Sequence, residues 1–225
     1  MDIADRIELA KTLSHPKELN EAIDRADAFD ERFGTETSAF APSGVAEGFM
    51  YVATLETMFR EIMAGIDIRH EDFTFVDFGS GKGRAVLLAS SYPFRHCIGV
   101  EVTPELHAIA ERNIAKYKNP EQRCANVGSM LVDARKFELP DDDLLLWFYN
   151  PFNEAVWRDV LDNIKRSLEK RPRRVLIVYA QQHLAAITDG CSWLRKVGPQ
   201  GGPCTIPMVV GKDGRFPYNV YEASI

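Results

Sequence analysis

The stretch Phe75-Val76-Asp77-Phe78-Gly79-Ser80-Gly81-Lys82-Gly83-Arg84 decides how the chain is read. It begins in a short apolar run, residues 73–76, of the kind that forms a buried strand. It ends where residues 84–91 take up a helical pattern. The glycines between permit a tight turn and a close approach of backbone to a ligand. The helix that follows offers unpaired N–H groups to whatever the turn holds. Two phosphate-binding loops do not fit. A P-loop needs Ser or Thr after its lysine, and Gly83 follows Lys82. A dinucleotide loop needs a third glycine at position 84, where Arg84 stands. What fits is an acid two residues ahead of GxGxG.

Outward from this loop, short apolar runs alternate with helical patterns. Residues 97–102, 127–132, 144–149 and 174–180 read as strands, and 104–117 and 154–168 as helices. Such alternation implies βαβ units and a parallel sheet. Near the C-terminus, 193–197 and 218–222 read as strands, and Lys212-Asp213-Gly214 is a hairpin signal, so the sheet should end in an antiparallel edge. The N-terminal part reads as helical, over 3–10, 19–29 and 47–64, with a loop at 33–38 and another at 41–44. The expected fold is α/β, doubly wound and Rossmann-like. Its sheet is seven-stranded and mostly parallel with an antiparallel C-terminal edge, and a helical extension precedes it. Residues 1–70 form the extension and 71–225 the ligand-binding domain.

The loop suits a zwitterionic amino acid, whose ammonium would face Asp77 and whose carboxylate would meet the amides of Gly79, Ser80, Gly81 and Gly83. Gly99-Val100-Glu101 closes the second strand. An acid there, about 20 residues after the loop, bonds ribose hydroxyls in nucleoside-binding folds, and a carboxylate can take both hydroxyl protons. Val132-Asp133-Ala134 follows the third strand, where Asp133, with Ala134 beside it, could accept from an adenine amino group. Tyr149-Asn150-Pro151-Phe152 ends the fourth strand, beside the crevice of a doubly wound sheet. Asn150 could accept a hydrogen bond from an amino group and so aim its lone pair. Tyr149 and Tyr179 end strands near the crevice, where stacking on substrate and core packing are both open readings. His183 follows the fifth strand and is a better candidate base than His107, which reads as structural.

Composition bounds the rest. The chain has 225 residues and a formal net charge of -6, which argues against a general nucleic-acid surface. The one basic cluster, Lys170, Arg171, Arg173 and Arg174, reads as a solvated helix end. No apolar run approaches the ~18 residues of a membrane span, and no secretory pattern opens the chain. Cys97, Cys124, Cys191 and Cys204 have no metal-ligand spacing, so no metal is expected. They read as reduced thiols of a cytoplasmic protein.

Taken together, loop, strand-two acid and strand-four motif resemble the class I S-adenosylmethionine-dependent methyltransferases over about residues 73–180. With Tyr92-Pro93-Phe94, Pro104-Glu105-Leu106-His107 and Phe33-Gly34-Thr35-Glu36-Thr37, the chain looks like a bacterial subgroup of unassigned substrate. The resemblance implies S-adenosyl-L-methionine as cofactor and a segment before strand one that closes over it, which puts Thr35 and Thr37 forward as lid residues. It implies methyl transfer to a nucleophile on a small molecule or a protein side chain, with Asn150, Tyr149 and Pro151 at the reacting end. The Gly-Ser-Gly-x-Gly-Arg loop is also similar to that of protein-lysine methyltransferases lacking a SET domain, which keeps lysine N-methylation as an alternative. A non-catalytic S-adenosylmethionine-binding regulator is the second alternative. Base and glutamine methyltransferases carry Asn-Pro-Pro and an aromatic, whereas Phe152 here follows a single proline.

Overall fold

The computed structural model describes residues 28–38, 51–198, 201–203 and 215–224. The helices expected over 3–10 and 19–27, the loop at 41–44 and the turn at 212–214 lie outside the described residues. Seven strands form one sheet: β1 (Phe73–Phe78), β2 (Cys97–Glu101), β3 (Val127–Leu131), β4 (Asp143–Tyr149), β5 (Val175–Ala180), β6 (Leu194–Val197) and β9 (Tyr218–Ala223). Their order is β3-β2-β1-β4-β5-β9-β6. β1 to β5 are parallel, and β9 runs antiparallel between β5 and β6. This is the expected mostly parallel sheet with an antiparallel C-terminal edge. A separate two-stranded ribbon, β7 (Gly202–Pro203) with β8 (Arg215–Phe216), was not foreseen.

Alternation along the strands builds two apolar layers, because successive side chains of a strand point to opposite faces. Phe75, Leu145, Trp147, Leu176 and Val178 face one layer. Val76, Phe78, Leu146, Phe148, Ile177 and Tyr179 face the other. On the first side pack α1 (Phe29–Phe33), α2 (Glu56–Ala64) and α3 (Arg84–Ala89). On the second lies α5 (Glu154–Lys170), with Val156, Trp157, Val160, Leu161, Ile164 and Leu168 buried. Helix α4 (Pro104–Lys116) starts at a proline, whose missing N–H costs nothing at that position. Asn153 caps α5, accepting from the Val156 N–H at 3.0 Å. A short helix α6 (Ala185–Asp189) follows β5.

Helix α2 begins at Glu56, later than the periodicity predicts. Residues 51–55 are not helical, and the N-cap Leu55 has extended backbone. Here tertiary contact overrides pattern. Tyr51, Ala53 and Leu55 are buried with the sheet, and the Tyr51 ring lies against Gly81, at the position a Cβ there would need. The described part of the extension thus shares the core of the sheet.

The three arginines of the basic cluster at the end of α5 have partners. Arg171 bonds Asp141, the Arg173 Nε donates to the Asp142 carbonyl at 3.0 Å, and Arg174 bonds Glu222 at 2.9 Å. Cys97 and Cys124 come into contact although they are distant in sequence. The hydrogen bond with Cys97 brings the Cys124 thiol down to about 7, while burial pushes Cys97 up. Among the described residues, no helix is long and apolar enough to cross a membrane.

Candidate functional site

In the order β3-β2-β1-β4-β5, successive strands are added first on one side of β1 and then, from β4, on the other, which opens a crevice at the carboxyl ends of these parallel strands. The glycine loop leaves β1 at that point. Gly79, Gly81 and Gly83 all have positive φ, the last as N-cap of α3. The tight space matters most at the first two. A Cβ on Gly79 would meet the Pro151 Cβ at 2.5 Å, and one on Gly81 would meet the Tyr51 ring at 2.1 Å. Pro151 therefore seats the end of β4 on the loop.

Asp77 is buried at the end of β1. Burial, and then the negative charge of Glu101, hold its carboxyl well above the usual range. A cation placed beside it would reverse both effects. Glu101 is clamped by backbone: Oε2 accepts from Gly81 N–H at 2.7 Å, and Oε1 from Val102 and Thr103 N–H at 2.9 and 2.8 Å. Three of the roughly four acceptor sites of the carboxylate are thereby used. One remains on Oε2, enough for a single ribose hydroxyl rather than for both. Ser80 Oγ is buried with no hydrogen-bond partner among the described residues. Asp77, Ser80, Arg84, Tyr51, Thr54 and Tyr149 line one small pocket beside the loop.

An amino-acid-bearing nucleoside fits this set. A buried acid awaits a cation, an orphaned hydroxyl awaits a partner, positive-φ glycines leave the loop backbone bare, and the strand-two carboxylate keeps one acceptor site. Asp77, the loop residues and Glu101 are the groups that would hold such a cofactor. Asp133 is placed less openly. Its carboxylate accepts the Arg135 N–H at 2.9 Å and forks with the Arg135 guanidinium, down to 2.6 Å. That pairing holds it below the usual carboxylate range, the Arg135 side chain first among the causes. The neighbouring Ala134 is buried.

Thr35 and Thr37 come to Asp30. Both hydroxyls donate to Asp30 Oδ1 at 2.7 Å, and the Thr37 and Ser38 amides donate to the same carboxylate. They build a turn around that carboxylate. That turn is docked on the loop. Asn113 of α4 accepts the Glu36 N–H at 2.8 Å and donates to the Lys82 carbonyl at 3.0 Å. The Arg84 Nη1 donates to Ser38 Oγ at 2.8 Å, with its guanidinium 4.5 Å above the Phe29 ring. Lys82, buried, faces Glu36 at 3.4 Å. Asp30, Asn113 and Tyr51 carry no motif, and sequence reasoning missed them.

At the end of β4, Asn150 is buried with φ 45°. Its carboxamide contacts Tyr179 Oη at 3.1 Å and His183 Nδ1 at 3.0 Å. Tyr149 meets Phe216 of β8 edge to face at 5.8 Å. His107 bonds Ser129 at 2.8 Å and joins α4 to β3.

Two comparisons with known proteins bear on this chain, one on its sequence and one on its fold. A family profile described as histone methylation protein DOT1 matches residues 45–141, the span holding the loop, Glu101 and Asp133. Among solved structures, the YcgJ protein of Bacillus subtilis is 14% identical. The match covers 75% of this chain and 98% of that one, with a TM-score of 0.50. A predicted N6-adenine-specific DNA methylase of Listeria monocytogenes is 13% identical over 76% of this chain and 51% of its own, also at 0.50. The Thermoplasma acidophilum protein 1320 is 13% identical, covering 93% and 96% at 0.49. At these identities the two structures that reach 0.50 speak for the fold alone. No curated protein matches the sequence.

Proposed function

We propose that this chain is a class I S-adenosylmethionine-dependent methyltransferase and that it methylates an amino group on a protein side chain. S-Adenosylmethionine supplies a methyl group already activated on a sulfonium. What the protein must add is position. Holding a nucleophile in line at ~3–3.5 Å is worth up to roughly 7–11 kcal/mol. The observation that carries the reading is Asn150, held in left-handed backbone beside the glycine loop by Tyr179 and His183. Its Oδ1 is an acceptor for the N–H of an amine whose lone pair must face the methyl group.

The family match supports a protein acceptor, since the matched profile is named for histone methylation. The net charge of -6 supports a basic partner through complementarity of charge. Tyr149 and Pro151 would shape the entrance, one through its ring and the other by seating β4 on the loop.

Tritium transfer from methyl-labelled S-adenosylmethionine tests this, with core histones and a small-molecule cell extract as separate acceptors. The expected result is label in protein, recovered as methylated lysine after acid hydrolysis and lost in Asn150→Ala while S-adenosylhomocysteine still binds. Label confined to the small-molecule fraction would overturn the protein acceptor.

A further inference from the structure

Two neighbouring strand ends share an uncommon backbone. Asn150 follows β4 with φ 45°, and Gln181 follows β5 with φ 51°. Positive φ is uncommon for residues with a Cβ, although Asn adopts it more readily than most. Around Asn150 the hydrogen bonds have a definite direction. The Leu184 N–H, a donor only, points at Tyr179 Oη from 3.2 Å. The Tyr179 hydroxyl donates its proton to Asn150 Oδ1 at 3.1 Å. The amide nitrogen is then turned to His183 Nδ1, 3.0 Å away. Along this chain from Leu184 through Tyr179 and Asn150 to His183 each donor meets an acceptor, which puts the His183 ring proton on Nε2.

The supports are themselves fixed. The His183 N–H closes on the Gln181 carbonyl at 2.7 Å. Tyr179 packs on Trp157 at 4.7 Å, and Trp157 Nε1 donates to Thr188 at 3.1 Å.

We propose that Tyr179 and His183 are positioning residues for methyl transfer: they lock the Asn150 carboxamide in one of its two orientations. The proposal rests on the role given to Asn150 above. Tyr179 takes one lone pair of Oδ1, and the other is kept for the N–H of the attacking amine. A flipped amide would show its NH₂ to that amine, donor against donor. His183 acts here as the acceptor that holds Nδ2 away from the crevice, not as a base.

Sinefungin tests this without an acceptor, because it carries an ammonium where the methylsulfonium of S-adenosylmethionine sits. Calorimetry compares its affinity with that of S-adenosylhomocysteine. The wild-type protein should prefer sinefungin by about tenfold or more, as a hydrogen bond to a charged group predicts. Asn150→Ala, Tyr179→Phe and His183→Phe should each lose that preference and keep S-adenosylhomocysteine affinity. His183→Asn, which restores an acceptor near the Nδ1 position, should regain it. A preference lost in Asn150→Ala but kept in Tyr179→Phe and His183→Phe overturns the positioning role and leaves Asn150 standing. A preference that survives Asn150→Ala overturns both. Tyr179→Phe removes a single oxygen and carries the test even if His183→Phe does not fold.

Discussion

The Gly81 amide donates to Oε2 of Glu101 across 2.7 Å, which makes the glycine loop and the end of β2 one mechanical unit. Removing that carboxylate loosens the loop as well as the ribose contact. Glu101→Ala strands three backbone N–H groups, so the protein without ligand should lose about 1–3 kcal/mol. Thermal unfolding with S-adenosylmethionine, with S-adenosylhomocysteine and with NAD as control checks this. Ligand at 100 times its dissociation constant should stabilise wild type by ~2.7 kcal/mol and leave the variant unmoved.

Asp77 should trade stability for binding. Its carboxyl titrates well above the ordinary 3.8 in the folded chain. Between 3.8 and that raised value the folded state binds more protons than the unfolded one, so stability falls as pH rises through this window. Asp77→Asn removes the burden. Relief of about 1 kcal/mol would raise the melting temperature by roughly 2–4 °C near neutral pH. The difference should vanish in acid. Wild type should release a proton on binding S-adenosylmethionine, and its affinity should rise with pH. Calorimetry in two buffers of different ionisation enthalpy measures both, and unchanged affinity in Asp77→Asn would refute the ammonium contact.

Asp30 has the opposite sign. Burial pushes its carboxyl up, but hydrogen bonds from Thr35, Thr37 and Ser38 outweigh burial and hold it below 3.8. Its contribution is present above 3.8 and is lost as pH falls through the folded value. Asp30→Ala should free the amides of Thr37 and Ser38. Hydrogen exchange, read at these amides, should be faster in the variant above 3.8, and the two proteins should converge in acid.

Two glycines give a contrast. Gly81→Ala must place a methyl group into the Tyr51 ring at φ 53°, whereas a Cβ on Gly128 meets nothing within 4 Å. Gly81→Ala should abolish binding of S-adenosylhomocysteine and destabilise by about 1–3 kcal/mol. Gly128→Ala should stay within about 0.5 kcal/mol of wild type. Denaturant unfolding of both variants decides.

Much of this was legible in the chain. The short apolar runs of β1, β4 and β5, the glycine spacing and the acid at Glu101 are local signals, readable because a strand covered on both faces is apolar at nearly every position. The start of α2 was misread, since the pattern over 47–64 does not show that Tyr51 is drawn onto Gly81. Thr35 and Thr37 were noticed for their segment, yet their partner Asp30 is marked by no spacing rule.

The sequence by itself determined the alternation of strands and helices, the antiparallel edge and the loop, because each follows from the local pattern of apolar residues or from a glycine that no other residue replaces. Only the tertiary structure decided what the polar groups do. A carboxamide such as Asn150 takes its orientation from donors and acceptors that arrive from another strand, here Tyr179 and His183, and hydrogen bonds between distant residues leave no period in a sequence.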